Sequence, residues 1–197
     1  LRRQRQMCIR DRYKYTGTSA QPANYKNSTV KAERDHYFDA GFSQTILPGW
    51  HASFDAYVKL AKNMIDEGQF GSPVILSVFN YRRGQVHGYE FSTDYTRGAF
   101  SVYGNFSWSR AIGKDVVSGE WNFDPEDLSY IKKHWVHLDH DQRWTASAGT
   151  SYTAFYRTGH PLRLSATMVY GSGLRADGAT PNGASVPQYA TFNLSLV

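Results

Sequence analysis

The chain has 197 residues with 14 Tyr, 11 Phe, 5 Trp and 17 Gly, and its formal net charge is +5. A single Cys excludes a disulfide scaffold and a cysteine-based zinc site. The longest apolar runs, such as 74–76, are far shorter than the ~18 residues of a membrane-spanning helix, whereas the strands of a membrane β-barrel need to be apolar only at alternate positions.

Residues 1–12 form a basic leader that holds most of the net charge, because five arginines face one aspartate there. No apolar region follows, so the leader is not a secretory signal peptide. Its second half, QMCIRDR at 6–12, resembles translated sequencing-adaptor read-through, which predicts a non-native segment. The alternative is a basic arm that binds phosphates or lipid headgroups. We therefore base the fold on residues 13–197.

The rest of the chain alternates between apolar and polar residues with a period of two. In 50–60 the even positions are Trp, Ala, Phe, Ala, Val and Leu, and the odd positions are His, Ser, Asp, Tyr and Lys. Such alternation puts one set of side chains on each face of a strand. The pattern predicts seven strands, at 34–45, 49–62, 76–95, 99–112, 137–153, 161–173 and 187–197. Gly84 and Gly88 predict bulges in the third strand.

Two features of these strands favour a membrane barrel over a soluble sandwich. The alternating segments run for about 10–14 residues, whereas strands of globular proteins most often have ~5–6 and a tilted transmembrane strand needs ~9–11. The polar face carries mostly Ser, Thr, Asn and Gly, which suit a wet barrel interior. The sequence therefore predicts an all-β fold, with 13–197 as a partial antiparallel transmembrane β-barrel domain. A soluble β-sandwich is the alternative.

The connections between the predicted strands alternate between short and long. Outer-membrane barrels show this asymmetry, with tight turns on one side and long loops on the other. The short connections lie at 46–49, 96–98 and 157–161, and the long ones at 63–75, 113–136 and 174–187. Within the longest connection, Asp124 followed by Pro125 indicates a helix start, and we predict a short surface helix over 125–133.

Aromatic residues cluster near the predicted strand ends. Interfacial girdles of a membrane barrel are one interpretation, and the ordinary enrichment of aromatic residues in strands is the other. The aromatic residues beside short turns are Trp50, Tyr95, Phe100 and Tyr152, and those near long loops are Trp108, Trp135 and Tyr170.

Four segments of the chain resemble TonB-dependent outer-membrane receptors. They are KAERDH at 31–36 with DAGF at 39–42, NYRRGQVHGYEF at 80–91, YGSGLR at 170–175 and PQYATFNL at 187–194. That family often has Pro where Ala32 stands here. The resemblance implies the C-terminal third of a 22-stranded barrel. Because seven strands cannot close a barrel and the alternation is still running at Val197, we expect a fragment that lacks the plug domain and the final strands.

The resemblance implies energised uptake of a scarce ligand, such as a siderophore, cobalamin or a glycan, across the bacterial outer membrane. The implied partners are outer-membrane lipid, a small-molecule ligand at the extracellular face and the TonB system, reached through the missing N-terminal part. We expect no enzymatic activity, no cofactor and no nucleic-acid partner. Two alternatives stay open, a passive porin-type barrel and a soluble β-sandwich that binds glycans.

One dense cluster of metal-type residues lies at His137–Gln142. On a strand, His137, Asp139 and Asp141 would share one face at steps of ~6.6–7 Å, too far apart for adjacent residues to chelate one ion easily, and His140 would point away. We therefore interpret the cluster as the polar end of a strand, with a metal site as the alternative. The sequence predicts no catalytic residue and no metal site, and it assigns no ligand-binding residue.

Overall fold

The computed structural model describes residues 30–70, 75–120, 123–155, 157 and 159–197, without the side chains of 68–70 and 75–77. The basic leader at 1–12 lies outside the described residues, so its interpretation stays a prediction. Among the described residues, no helix is both long enough and apolar enough to cross a membrane.

The described residues form ten strands and one helix. The bounds are β1 Arg34–Leu47, β2 Trp50–Phe70, β3 Ile75–Arg97, β4 Phe100–Ser118, α1 Pro125–Lys133, β5 Val136–His137, β6 Trp144–Ala154, β7 Leu162–Gly171, β8 Arg175–Ala176, β9 Ala184–Ser185 and β10 Tyr189–Leu196. The predicted helix over 125–133 is confirmed with these bounds.

The seven long strands form one antiparallel sheet in the order β1-β2-β3-β4-β6-β7-β10, with the short β5 also paired to β4. Each long strand lies beside its neighbours in the chain, so the sheet is a meander, as in the wall of an up-and-down barrel. This confirms the all-β fold and the seven long strands. We call the end with the short turns, including 48–49 and 98–99, the turn end and the opposite end the loop end.

Two strands continue well beyond the alternating pattern. β2 reaches Phe70 and β4 reaches Ser118, whereas the sequence predicted ends at 62 and 112. Asn63 and Asp115 have positive φ angles of 55° and 64°. A left-handed residue interrupts the alternation of side chains while the ladder of hydrogen bonds continues past it. The period-two pattern therefore ended before the strands did.

The predicted bulges at Gly84 and Gly88 are wrong. The β2–β3 and β3–β4 ladders run without a shift through both glycines, and the irregularity in the β3–β4 ladder lies between Asn80 and Tyr81. The glycines make room for neighbours instead. A Cβ at Gly84 would collide with the side chain of Met64, and one at Gly88 would approach the Tyr57 hydroxyl to 2.7 Å.

The apolar side chains of the long strands lie on one exposed face. This apolar face comprises the even-numbered positions of β1, β2, β4, β6, β7 and β10 and the odd-numbered positions of β3. Toward the loop end it extends to Lys62 in β2, Arg83 in β3 and Lys114 in β4. Phe192 and Leu194 are 69% and 82% exposed. In the described part of the chain no second sheet packs on this face, so the long strands form a single layer and not the two packed sheets of a sandwich.

Aromatic residues form two rows on the apolar face. Trp108 pairs with Trp144 near the loop end, and Phe100 pairs with Tyr152 near the turn end. Eight positions separate the two rows on each strand, which corresponds to about 26 Å along a strand and about 20 Å along the normal of a membrane crossed at a tilt of about 40°. The predicted Trp135 is outside these rows, between α1 and β5.

The hydrophobic core lies at the loop end, on the polar face of the sheet. Helix α1 contributes Ile131, which is fully buried. The ring of Phe79 contacts the rings of Tyr81 and Phe123 edge-on, with centroids 5.1 and 4.9 Å apart. Tyr81 also covers Gly113, a polar-face position. The long connections therefore fold over the polar face instead of extending away from the sheet.

Candidate functional site at the loop end

Asn80 joins three segments at the loop end. Its side chain is fully buried. Its Oδ1 accepts hydrogen bonds from the Lys31 N–H at 2.7 Å and the Ser118 hydroxyl at 2.6 Å. Its Nδ2 donates to the carbonyls of Lys31 and Asn63 at 3.0 and 2.8 Å. All four hydrogen-bonding positions of the amide are filled, so Asn80 fixes the segment before β1 to β2 and β4.

Glu33 ties the same segment to β2 a second time. Its Oε2 accepts a hydrogen bond from the Ile65 N–H at 2.6 Å, and its Oε1 lies 2.6 Å from the Lys59 ammonium. Lys59 also lies 3.2 Å from Asp35. This polar-face lysine therefore has two carboxylate partners.

Asp141 is the second buried polar group that organises the loop end, and its side chain is 0% exposed. Its Oδ2 lies 2.7 Å from His137 Nδ1, 3.4 Å from Arg175 Nε and 3.6 Å from a terminal nitrogen of Arg143. Burial, followed by the charge of Arg175, lowers the pKa of His137. Two arginines therefore supply the positive charge around the buried carboxylate.

The Asp141 carboxylate also completes the sheet. Between β5 and β6 the chain leaves the ladder, and residues 138–143 are not strand. Leu138 N–H still donates to the Ala111 carbonyl at 3.1 Å, but the Ala111 N–H donates to Asp141 Oδ1 at 2.8 Å. A side-chain carboxylate thus replaces the backbone carbonyl of an ordinary strand partner.

The predicted strand over 137–153 is therefore wrong at its beginning. β6 begins at Trp144, and after His137, the last residue of β5, the cluster forms a turn in which Asp139 accepts a 2.6 Å hydrogen bond from the His140 ring. The interpretation as a polar strand end fails for the same reason. The turn separates the residues that a strand would align, because Asp141 points into the sheet edge and Asp139 points away from it toward β2.

Asp66 of β2, Asp139 and His140 come together on the polar face. One ligand-type atom from each lies within 4.8 Å of the others, and the His140 side chain is 71% exposed. Burial, followed by the charge of Asp139, raises the pKa of Asp66 to about 7. Asp66 carries no signal in the sequence, since it lies beyond the left-handed Asn63, where the alternation no longer indicates which face of the sheet a residue occupies.

A second loop covers this cluster. Asn182 donates a 2.8 Å hydrogen bond from its side chain to the His137 carbonyl, and the Arg175 N–H donates to the Asp139 carbonyl at 2.9 Å. The segment between β7 and β10 therefore rests on the turn between β5 and β6. The loop end is one connected surface and not a set of separate loops.

A polar cleft of about 600 Å³ lies between α1 and the end of β4. Charged residues of both signs line it, namely Lys31, Arg82, Asp115, Glu120 and Lys132. Arg82 and Asp115 form an ion pair within it. Pockets with a few polar groups at fixed positions suit small ligands with matching charges, so this cleft and the exposed His140 are the candidate contact points for a ligand.

We predict that Asp66 makes the loop end more stable at low pH. Because the pKa of Asp66 is higher in the folded protein than the ~4 of an unfolded chain, the folded state binds this proton more tightly. Stability is therefore lost as the pH rises from about 4 to about 7, and the loss levels off above that. Between pH 6 and 8 the loss attributable to Asp66 is about 1 kcal/mol.

Thermal unfolding of the wild type and of Asp66→Asn in detergent, compared at pH 6 and pH 8, measures this effect. The asparagine has no carboxyl to titrate, so its stability should fall less over this range. Equal pH dependence in the two proteins would exclude Asp66 as the titrating group.

The chain matches the family described as TonB dependent receptor-like, beta-barrel, over residues 9–196. No curated protein matches the chain, and no solved structure matches it.

Proposed function

Because the chain belongs to the TonB dependent receptor-like β-barrel family, we propose that it forms part of the wall and extracellular loops of an outer-membrane transporter. The transporter takes up a scarce ligand of the siderophore, cobalamin or glycan class. The match over residues 9–196 carries this proposal. The segment itself has no catalytic role and needs no cofactor, and it belongs to a larger barrel of about 22 strands.

The two aromatic rows support a position across the outer membrane. Their separation of about 20 Å is close to the ~25 Å apolar band of outer-membrane barrels, which such rows border on both sides. The side chains between the rows, including Phe106 and Val102, are exposed to the surroundings of the sheet. Hydrocarbon is the environment in which exposed apolar side chains at this spacing are stable.

The loop end supports a role in ligand binding. Its loops and helix α1 fold over the polar face, which lines the interior of the barrel. The cleft beside α1 and the group formed by Asp66, Asp139 and His140 therefore face the path of an entering ligand. The TonB system acts through parts of the receptor outside this chain.

Energy dependence distinguishes this proposal from a passive porin. Cells that express the receptor containing this segment should accumulate its radiolabelled ligand, screened among iron chelates, cobalamin and oligosaccharides. A protonophore, or deletion of TonB, should reduce the uptake rate at least tenfold. Uptake that continues unchanged after either treatment would favour the porin and contradict the proposal.

A further inference from the structure

Four basic residues form a row across four neighbouring strands on the apolar face. Arg34 pairs with Lys62, Lys62 pairs with Arg83, and Arg83 pairs with Lys114. We call these four residues the cation row. Neighbouring strands are about 4.8 Å apart, so the row places four positive side chains within about 15 Å.

The cation row has no negative partner in the described part of the chain. Among the described residues, no carboxylate lies within 4 Å of the charged nitrogens of these four side chains, whereas Lys59 on the polar face has two carboxylate partners, at 2.6 and 3.2 Å. Like charges directly opposite each other on neighbouring strands are destabilising. The row is therefore an arrangement that an external anion would stabilise.

The distribution of acidic residues strengthens the contrast between the faces. The apolar-face positions of β1 to β4 carry no Asp or Glu, and the acidic residues of the same strands occupy the polar face or the region beyond Asn63 and Asp115. His87 and Arg110, which pair with each other on the apolar face, add two basic side chains nearer the turn end. In the described residues, His87 Nδ1 and Arg110 Nε are buried without a hydrogen-bond partner.

The position of the cation row along the strands indicates what it meets. Lys114 lies six positions beyond Trp108 of the loop-end aromatic row, which corresponds to about 15 Å along the membrane normal. Arg110 lies between them. Aromatic rows of this kind border the apolar band of the membrane, so the backbone of the cation row lies beyond the headgroup layer, which is about 5–8 Å thick. Lysine and arginine side chains, about 6 Å long, extend back from there toward the phosphates.

We infer that the cation row binds the phosphate groups of lipid headgroups in the leaflet on the loop side. The inference depends on the proposed membrane position, and its basis is the complementarity between four unpaired cations and an anionic lipid surface. Arginine forms bidentate hydrogen bonds with phosphate, and lysine contributes a compact charge. The bound lipid neutralises the repulsion within the row and fixes the depth of this part of the barrel.

Lipid titration on the detergent-solubilised receptor that contains this segment tests the inference. The row variant carries Lys62→Gln and Arg83→Gln, and the matched control carries Lys133→Gln on α1 and Arg163→Gln on the polar face of β7, which are both exposed. The affinity for phosphatidylglycerol should fall roughly 30-fold in the row variant and stay within about twofold in the control. The difference should shrink at 0.5 M salt, and phosphatidylcholine should bind all three proteins weakly.

Thermal unfolding in neutral detergent shows whether the row variant is still folded, so that a loss of lipid affinity can be distinguished from a loss of structure. The row variant should unfold at the same or a higher temperature than the wild type without lipid, and phosphatidylglycerol should stabilise only the wild type and the control. Equal phosphatidylglycerol affinity in the row variant and the wild type would overturn the inference, as would binding of free glycerol phosphate as tight as that of the lipid. Failure of the wild type to insert into membranes would instead contradict the proposed function.

Discussion

An Asn80→Leu variant should lose at least about 3 kcal/mol of stability at the loop end. Leucine fills a similar volume but leaves the Lys31 N–H, the Lys31 and Asn63 carbonyls and the Ser118 hydroxyl without their buried partner. Each unsatisfied buried group costs about 1–3 kcal/mol, less where water can reach it. Urea unfolding of the receptor in detergent, with hydrogen exchange at 30–33, measures the loss.

Asn105→Leu is the matched control for this change. Asn105 is an exposed asparagine on the polar face of β4, and its side chain donates a hydrogen bond to Ser147 at 3.1 Å, so its replacement should cost less than about 1 kcal/mol. If both variants lost the same stability, a general effect of leucine on the polar face would explain the result. Protection of 30–33 unchanged in Asn80→Leu would show that Asn80 does not hold this segment.

The strands and the helix were predictable because their signals are local. Alternation over ten or more residues specifies a strand face, and Asp124 followed by Pro125 marks the start of α1. The four hydrogen bonds of the buried Asn80 amide have no such local signal in the sequence. Its partners lie 17, 38 and 49 positions away in the chain, and they meet only because β2, β3 and β4 continue past the left-handed Asn63 and Asp115.

The cluster at His137–Gln142 failed as a strand for a related reason. Spacing on an ideal strand assumes that backbone groups make the ladder, but here the Asp141 carboxylate accepts the Ala111 N–H. The side chain releases the backbone of 139–142 from the ladder, while Leu138 and Arg143 still bond the backbone of β4, so Asp139 and His140 can reach Asp66. The cation row was only partly predictable from the sequence. The alternation places each of its basic residues on the apolar face, but only the register between neighbouring strands shows that they lie side by side.

An Asp141→Leu variant should lose about 3–5 kcal/mol, because removing one partner from a buried charged group leaves the others uncompensated. Arg143 and Arg175 would keep their charges around an apolar side chain, and the Ala111 N–H would lose its acceptor. Asp141→Asn should cost less, since its amide oxygen still accepts from Ala111. Denaturant unfolding of both variants measures which of them loses more stability. Asp139→Asn on the same turn is the control, and it should lose less than about 1 kcal/mol.

The titration of His137 separates the role of the Asp141 charge from simple packing. Asp141 favours the protonated imidazole, although burial and Arg175 outweigh it and lower the pKa of His137. Removing the carboxylate while keeping the side-chain shape should therefore lower that pKa further in Asp141→Asn, as measured by NMR titration of the imidazole. A pKa of His137 that is unchanged in Asp141→Asn would show that the Asp141 charge does not act on the imidazole, and it would contradict the contribution of Asp141 to this titration.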